Sequence, residues 1–294
     1  MNIKEIEKLR KAGIIAREVR EYSKKIIKKD ELLREIADKI EDKIVELGGK
    51  PAFPTTLCIN EVAAHYTPSY DDETKAEGLL KVDFGISVDG FVADTAFSVD
   101  LDNISENKKL IKASEECLAN AIKAIESGKN LGEVGAKIQE TAEEFGGNSI
   151  KNLSGHQIEK YRLHAGITIP NYDNKSNTVL NKGVYAIEPF ITFGTGLVYD
   201  GKPSGIYELK RNGAIRDRNA REVFEYILEE YQTLPFCSRW LVKKFGTRVL
   251  LSLRIIEQSG ALHHFAQLIE KSKSIVAQSE HTLLVSDGKV EVIT

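Results

Sequence analysis

The sequence contains no apolar run of 18 residues, and its first stretch, MNIKEIEKLRKAG, alternates charged residues with single apolar ones. The missing run argues against a membrane-spanning helix, and the charged start argues against a secretory signal peptide. Low-complexity tracts are also missing, while 41% of the residues are hydrophobic, so we expect a folded core rather than disorder. These absences favour a cytoplasmic protein without a membrane partner.

Cysteine is scarce. Cys58, Cys117 and Cys237 are an odd number at wide spacing, which fits neither a disulfide framework nor a CxxC zinc site. A positive charge excess is missing as well, because 41 Lys+Arg face 44 Asp+Glu at a net charge of −3. Since a polyanion-binding surface usually needs such an excess, no nucleic-acid partner is expected.

Apolar periodicity divides the chain of 294 residues into segments. Residues 2–49 show the spacing of two amphipathic helices, and helical spacing returns over 106–145. A hairpin pattern covers 79–101, and Gly-punctuated strand patterns follow over 152–196. The order of helices, hairpin, helices and strands hints at two similar halves.

A second helical block covers about 203–266, and strand patterns lie on both sides of it. We therefore interpret this block as a helical insertion subdomain within a single α+β domain of residues 1–294. The two strands of the tail are joined at Asp287-Gly288, which is a favourable two-residue turn.

The predicted hairpin, LLKVDFGISVDGFVADTAFSVDL, is the most informative stretch. Asp89-Gly90 favours a type I′ turn, which pairs Val88 with Phe91. Side chains along a strand alternate between its two faces, so this register sorts them into an apolar face and a face with two acids. The apolar face contains Val82, Phe84, Ile86, Val88, Phe91, Ala93, Thr95 and Phe97. The other face contains Asp83, Gly85, Ser87, Val92, Asp94 and Ala96.

Asp83 and Asp94 are diagonal neighbours in this register, with backbones roughly 7–8 Å apart. Two carboxylates that close repel each other unless a proton or a cation lies between them. The simpler alternative is a solvated polar face on which Asp occurs twice. Gly85, Val92 and Ala96 are poor choices for such a face, so a cation site is a competing interpretation.

Further candidate ligands lie in three later segments. His156 and His164 are eight positions apart, although a histidine in an apolar stretch is often only a hydrogen-bonded core residue. Glu188 and Glu280 each lie in an otherwise apolar strand pattern, where a buried carboxylate needs a cation or a structural Arg partner. An oxygen-rich donor set favours Mn, Fe, Co or Zn in a hydrolytic two-metal site. The candidate ligands are Asp83, Asp94, His156, Glu188 and Glu280.

Five stretches of the sequence, NEVAAHYTP, VDFGISVDGFVADTAFSV, LSGHQIEKYRLHAG, VYAIEPF and VAQSEHTLLV, resemble those of methionine aminopeptidases. They occur in the family's order with compatible spacings over nearly the whole chain. The helical insertion resembles the type II class, and the sequence as a whole resembles its archaeal members. The resemblance implies an α+β "pita-bread" (creatinase/aminopeptidase) fold, with pseudo-twofold halves around a curved antiparallel sheet.

The resemblance also implies roles for the candidate ligands. The family's five metal ligands fall on these same positions, with none missing. Asp94 and Glu280 would bridge two metal ions, and Asp83 would chelate one of them. His156 and Glu188 would hold the other ion.

Catalytic and substrate-binding positions follow from the same resemblance. His65 would lie near the scissile amide, His164 near the developing oxyanion, and Glu188 would also accept the proton of the nucleophilic water. Both histidines would contact the substrate. Phe265 stands where the family leads us to expect a tyrosine. The residues at the family's methionine pocket are Phe53, Leu163, Phe265 and Leu268.

The implied reaction removes the initiator methionine from nascent proteins and peptides whose second residue is small. A hydroxide bridging two divalent metal ions, which could be Co, Mn, Fe or Zn, would be the nucleophile. The implied partners are peptide or nascent-chain N-termini that begin with Met. The ribosome is a further candidate partner, and the expected protein is a monomer.

Two alternatives remain open at this stage. A prolidase-type metallopeptidase would share the fold and the metal ligands, and a non-catalytic pita-bread module would bind peptides, nucleic acid or ribosomes. His281, beside Glu280, should point to the opposite face of its strand, and His263 and His264 lie in the insertion. We expect none of these three histidines to bind metal. Trp240 is expected in the insertion's own core.

Overall fold

The computed structural model describes residues 1–211, 213, 215–286 and 288–294. Its helices are α1 (Ile3–Ile26), α2 (Leu33–Glu46), α3 (Ser105–Glu126), α4 (Leu131–Glu144), α5 (Arg218–Glu230), α6 (Ser238–Phe245) and α7 (Val249–Gln258). Its strands are β1 (Lys50–Pro51), β2 (Thr56–Ile59), β3 (Val62–Ala64), β4 (Leu79–Val88), β5 (Phe91–Asp100), β6 (Asn148–Ser149), β7 (Ser154–Glu159), β8 (Arg162–Pro170), β9 (Gly183–Ile187), β10 (Phe190–Thr192), β11 (Val198–Leu209), β12 (Phe236–Cys237), β13 (Leu262–Glu270), β14 (Val276–Gln278), β15 (Glu280–Ser286) and β16 (Lys289–Val292). No helix within these residues has the length and apolar content needed to cross a membrane.

The main sheet is antiparallel, with the strand order β1-β4-β5-β15-β9-β7-β8. In addition, β2 pairs with β4 and β16 pairs with β15. The predicted turn at Asp287-Gly288 falls between β15 and β16, but Asp287 lies outside the described residues. Two smaller sheets, β14-β10-β6 and β12-β11-β13-β3, complete the strand framework.

A pair of helices covers each half of the main sheet. Helices α1 and α2 share a core with the apolar face of β4 and β5, whereas α3 and α4 share a second core with residues of β8, β9 and β15. Each half thus runs from a helix pair to a hairpin, β4–β5 in the first half and β7–β8 in the second. This arrangement confirms the α+β fold with two similar halves.

The β4–β5 hairpin has the predicted register. Val88 pairs with Phe91, and Gly85 pairs with Asp94. Asp89 and Gly90 have φ angles of 51° and 86°, the left-handed conformation that a type I′ turn requires at both central positions. Because α1 and α2 cover the apolar face, the face with the two acids lies on the opposite side of the sheet.

The segment predicted as a helical insertion contains α5, α6 and α7, but its ends are strands. Residues 203–209 belong to β11 and residues 262–266 to β13, and these two strands pair with each other. The helical part therefore runs from about 218 to 258. The strand character of β11 was missed because Pro203 and Gly205 interrupt its alternation, and register shifts occur at this point of the β11–β13 ladder.

Candidate metal centre

A cavity of about 270 Å³ opens on the side of the main sheet that faces away from α1 and α2. Its floor carries acidic and imidazole side chains, and its walls are mostly apolar. All five candidate ligands predicted from the sequence line this one cavity: Asp83, Asp94, His156, Glu188 and Glu280.

The sheet order explains why residues about 200 positions apart meet. Asp83 on β4 and Glu280 on β15 are both paired with Ala96 on β5, so the two acids flank a small residue on one row of the sheet. His156 on β7 pairs with Ala186 on β9, and Glu188 follows two residues later. Small residues between the donors leave open space above the sheet instead of a packed layer.

The donor atoms lie at distances typical of groups that share a cation. One ligand atom from each of Asp94, His156 and Glu280 lies within 4.8 Å of the others. The His156 Nε2 atom is 3.5 Å from Glu188 Oε1 and 3.8 Å from Asp94 Oδ2. Asp83 Oδ2 accepts a hydrogen bond of 3.1 Å from the Gln278 side-chain amide.

The acids of the site differ from most buried acids in their partners. Among the described residues, none of the four acids forms an ion pair with a lysine or arginine, so the interpretation with a structural Arg partner is not supported. The Oδ1 atoms of Asp83 and Asp94 are buried and have no hydrogen-bond donor in the part of the chain that the structure describes. Buried carboxylate oxygens without partners are expected where an ion binds.

The electrostatics of the site reflect burial and crowding. Burial raises the pKa values of Asp94, Glu188 and Glu280 well above their ordinary range, and repulsion from neighbouring acids raises them further. The pKa of Asp83 is raised to about 7, mainly by burial. Burial lowers the pKa of His156 to about 4. A divalent cation would reverse this balance by favouring the ionised acids.

The two predicted catalytic histidines also line the cavity. His65 follows β3, and its Nδ1 atom lies 3.2 Å from the Ala266 carbonyl oxygen. Its ring meets the Phe265 ring edge to face at 5.3 Å. The His164 ring on β8 contacts the His156 ring edge to face, with the ring centroids 4.6 Å apart. Burial lowers the pKa values of His65 and His164, the latter to about 3, so both imidazoles are neutral near pH 7.

The apolar walls contain the side chains predicted for the methionine pocket, and these come from separate parts of the chain. The four predicted residues that line the cavity are Phe53, Leu163, Phe265 and Leu268. Sequence reasoning missed Ile206 and Pro235, which reach the cavity from the insertion and carry no local signal. It also missed Gln278, although strand alternation places it on the same face as Glu280.

The three histidines set aside from the sequence do not line this cavity. His281 pairs with Thr95 on the opposite face of the sheet, and its Nδ1 atom lies 3.1 Å from Thr294 Oγ1. His264 contacts Glu257 at 3.0 Å and accepts a hydrogen bond from the Gly205 amide. His263 is exposed, and its ring contacts the Phe265 ring edge to face at 4.5 Å between centroids. That these three histidines do not bind metal stays a prediction.

Comparison of the whole chain with known proteins shows which family it belongs to. Residues 7–286 match metallopeptidase family M24. A methionine aminopeptidase of Methanocaldococcus jannaschii is 43% identical over 297 residues, covering 100% of both chains. The chain therefore belongs to the methionine aminopeptidases of metallopeptidase family M24.

Solved structures agree on the fold. The methionine aminopeptidase of Thermotoga maritima superimposes with a TM-score of 0.71 at 25% identity, covering 100% of this chain and 98% of the other. A thermophilic Arx1 superimposes with a TM-score of 0.85 at only 13% identity, covering 100% and 91%. The Arx1 similarity shows the fold alone.

Proposed function

We propose that this protein hydrolyses the first peptide bond of peptides and nascent proteins that begin with methionine and have a small second residue. The observation that carries the proposal is the cavity floor, where four acids and His156 converge without a lysine or arginine partner among the described residues. An apolar-walled recess above that floor supports an enzyme that selects one terminal side chain.

The donor set fits a pair of divalent ions, because carboxylate oxygens and one imidazole are the ligands that Mn, Fe, Co and Zn accept. Asp94 and Glu280 would bridge the two ions, Asp83 would chelate one, and His156 and Glu188 would hold the other. Bound there, the pair would activate water and polarise the scissile carbonyl. The Gln278 amide keeps one Asp83 oxygen in place, as outer hydrogen bonds do at metal sites.

Proton transfer and charge stabilisation are assigned to the chain's own side chains. Glu188 would accept the proton of the attacking water, since its carboxylate lines the cavity together with the other candidate ligands. His164 would donate a hydrogen bond to the developing oxyanion as a neutral imidazole. His65 faces the Ala266 carbonyl oxygen with Nδ1, so the N–H of its neutral ring lies there, and its Nε2 would accept a hydrogen bond from the N–H of the scissile amide. Burial, which lowers both pKa values, keeps the imidazoles neutral for this task.

Substrate selection is assigned to the apolar walls. Phe53, Leu163, Phe265 and Leu268 line the same cavity of about 270 Å³ as the acids. An unbranched thioether fills such an irregular apolar space without leaving a polar group unpaired. The free α-amine of a substrate would point towards the acidic floor, which favours an exopeptidase over an endopeptidase.

Several finer features remain proposals. We propose that the protein acts as a monomer in the cytoplasm, where its three free cysteines, all buried, stay reduced. We also propose that the helical part of the insertion is a subdomain of a single catalytic domain. The choice among Co, Mn, Fe and Zn and a contact with the ribosome stay predictions.

An assay with two substrate classes tests the function. The protein is incubated with Mn²⁺, Fe²⁺ or Co²⁺ on Met-Ala-Ser and on X-Pro dipeptides, with and without a chelator. Release of methionine only, abolished by the chelator, is expected. Cleavage of X-Pro alone would indicate a prolidase-type enzyme, and no cleavage of either substrate with any of the three ions would favour a binding module.

A matched pair of variants links the activity to the cavity. Glu280→Gln removes a predicted bridging ligand, whereas His281→Gln changes the next residue, which faces the other side of the sheet. We expect Glu280→Gln to lose Mn²⁺ binding by calorimetry together with activity, and His281→Gln to keep both. Full Mn²⁺ binding in Glu280→Gln would contradict the ligand assignment.

A further inference from the structure

The insertion is joined to the first half of the molecule by a buried ionic network. Arg239 on α6 is only 4% exposed, and its guanidinium donates to both carboxylate oxygens of Glu41 on α2, at 2.9 and 2.8 Å. It also donates to Asp38 and, at 3.1 Å, to the Pro68 carbonyl oxygen. A guanidinium that is paired with both oxygens of one carboxylate has a fixed position and orientation.

Glu41 is saturated with donors. Besides Arg239 it accepts hydrogen bonds from the Thr55 backbone amide at 3.1 Å and from the Trp240 indole at 2.7 Å. Trp240 packs against the insertion core as expected, but its indole also reaches across to α2. The network therefore holds α2, α6 and two loops in one arrangement.

The two loops that contain Thr55 and Pro68 are close in sequence to residues that line the cavity. Thr55 lies two residues after Phe53 and directly before Thr56, and both of these neighbours line the cavity. Pro68 lies three residues after His65. On the insertion side, Pro235 lines the cavity four residues before Arg239. The network is thus connected through short segments to two parts of the cavity wall, one from the first half and one from the insertion.

We infer that Arg239 and Glu41 are positioning residues that fix the Phe53–His65 wall against the insertion wall and so determine how tightly the methionine side chain is held. This inference rests on the proposed function. Stability alone does not require an ion pair here, because well-packed apolar residues often replace a buried ion pair without loss. A bidentate pair instead fixes distance and angle between the walls, which apolar contacts do less strictly.

Steady-state kinetics of the Mn²⁺-loaded protein on Met-Ala-Ser and Leu-Ala-Ser test the inference. Arg239→Lys keeps the charge but loses the bidentate geometry. We expect KM for Met-Ala-Ser to rise about tenfold, the scale of a sub-ångström to ångström displacement of a binding wall, with kcat changed less than about threefold. The preference for Met over Leu should fall, while Mn²⁺ affinity should stay unchanged.

The chain offers a matched control on the same two helices. Lys243 on α6 and Asp42 on α2 form an exposed ion pair at 3.7 Å, with side chains 69% and 73% exposed. Lys243→Ala should leave KM, kcat and the Met preference as in the wild type, because an exposed pair fixes little. If Arg239→Lys does not fold, Glu41→Gln is measured by the same criteria, since it keeps the shape of the side chain.

The outcomes separate the inference from the proposed function. An active wild type whose Arg239→Lys and Glu41→Gln variants keep KM and Met preference would overturn the inference alone. A variant in which kcat and Mn²⁺ affinity collapse together with KM would also overturn it, because the network would then support the fold rather than the pocket. A wild type that releases no methionine would overturn the proposed function and the inference with it.

Discussion

Two groups of buried acids in this molecule differ in what surrounds them. Glu41 is 6% exposed, and Arg239, Trp240 and the Thr55 amide saturate its oxygens. Glu280 is 1% exposed, yet it faces other acids and forms no ion pair with a lysine or arginine in the described chain. Burial alone therefore does not distinguish a structural acid from a functional one.

The difference shows where an external cation is required. An isolated buried carboxylate is unfavourable unless a partner compensates for its lost hydration. Arg239 is that partner at Glu41. At the cavity floor, no lysine or arginine among the described residues forms an ion pair with the acids, and the Oδ1 atoms of Asp83 and Asp94 have no hydrogen-bond partner there. The predictions below test whether this contrast has the expected consequences for activity and stability.

The largest expected effect is on catalysis. Replacing His65 or Glu188 with Ala should lower turnover of Met-Ala-Ser by at least ~10²-fold, the usual scale for positioned acid–base or charge-stabilising groups. The measurement is kcat with saturating Mn²⁺, and binding of Mn²⁺ to the His65 variant should be unchanged. Near-normal turnover in either variant would remove the role assigned to that residue.

A second effect, opposite in sign at the two groups, concerns stability without metal. Glu41→Ala leaves Arg239 buried without its main partner, which should reduce the free energy of unfolding by about 3–5 kcal/mol. Asp83→Asn removes one of several crowded charges and should stabilise the metal-free protein. The pKa of Asp83 is raised to about 7 from 3.8, and each pH unit corresponds to about 1.4 kcal/mol, so a gain of up to a few kcal/mol at pH 8 is expected.

Urea unfolding of the chelated proteins measures both changes. Lys243→Ala, which breaks only an exposed ion pair, is the reference for a substitution with little effect. If Asp83→Asn and Glu41→Ala destabilised the metal-free protein to the same degree, the two groups of acids would not differ in kind, and the argument for an external cation would fail.

The β4–β5 hairpin could be predicted from the sequence because local rules determine its register. Asp89-Gly90 sets the turn, and alternation then places Asp83 and Asp94 on one face while the apolar residues meet α1 and α2. The candidate ligands His156 on β7, Glu188 directly after β9 and Glu280 on β15 are polar residues within apolar strand patterns. Their convergence depends on strand order, which the family resemblance supplied.

The link between Arg239 and Glu41 could not be predicted in the same way. The two residues are 198 positions apart, and no local pattern indicates which acid an arginine of an amphipathic helix will meet. The pairing of β11 with β13 was missed for a related reason, because its strands are separated by the insertion and its alternation is broken near Pro203. Contacts between segments that are far apart in the sequence leave no periodic signal in either segment.

The smallest expected effect is the pH dependence of stability, and it should change sign when metal binds. In the metal-free protein the cavity acids have raised pKa values, about 7 for Asp83, so folding favours their protonated forms. The stability they contribute is complete below the pKa of the unfolded chain, near 4, and is lost as the pH rises through the folded values. The melting temperature of the chelated protein should therefore fall by several degrees between pH 5 and pH 8, since 1 kcal/mol shifts it by roughly 2–4 °C in a chain of this size.

With excess Mn²⁺ the same acids must ionise to bind the metal, so the stability of the protein should rise with pH over that range. Asp83→Asn should flatten the metal-free profile, whereas Lys243→Ala should leave it unchanged. A metal-free profile that rises with pH in the wild type would mean that these acids are already neutralised by the chain itself, as Glu41 is.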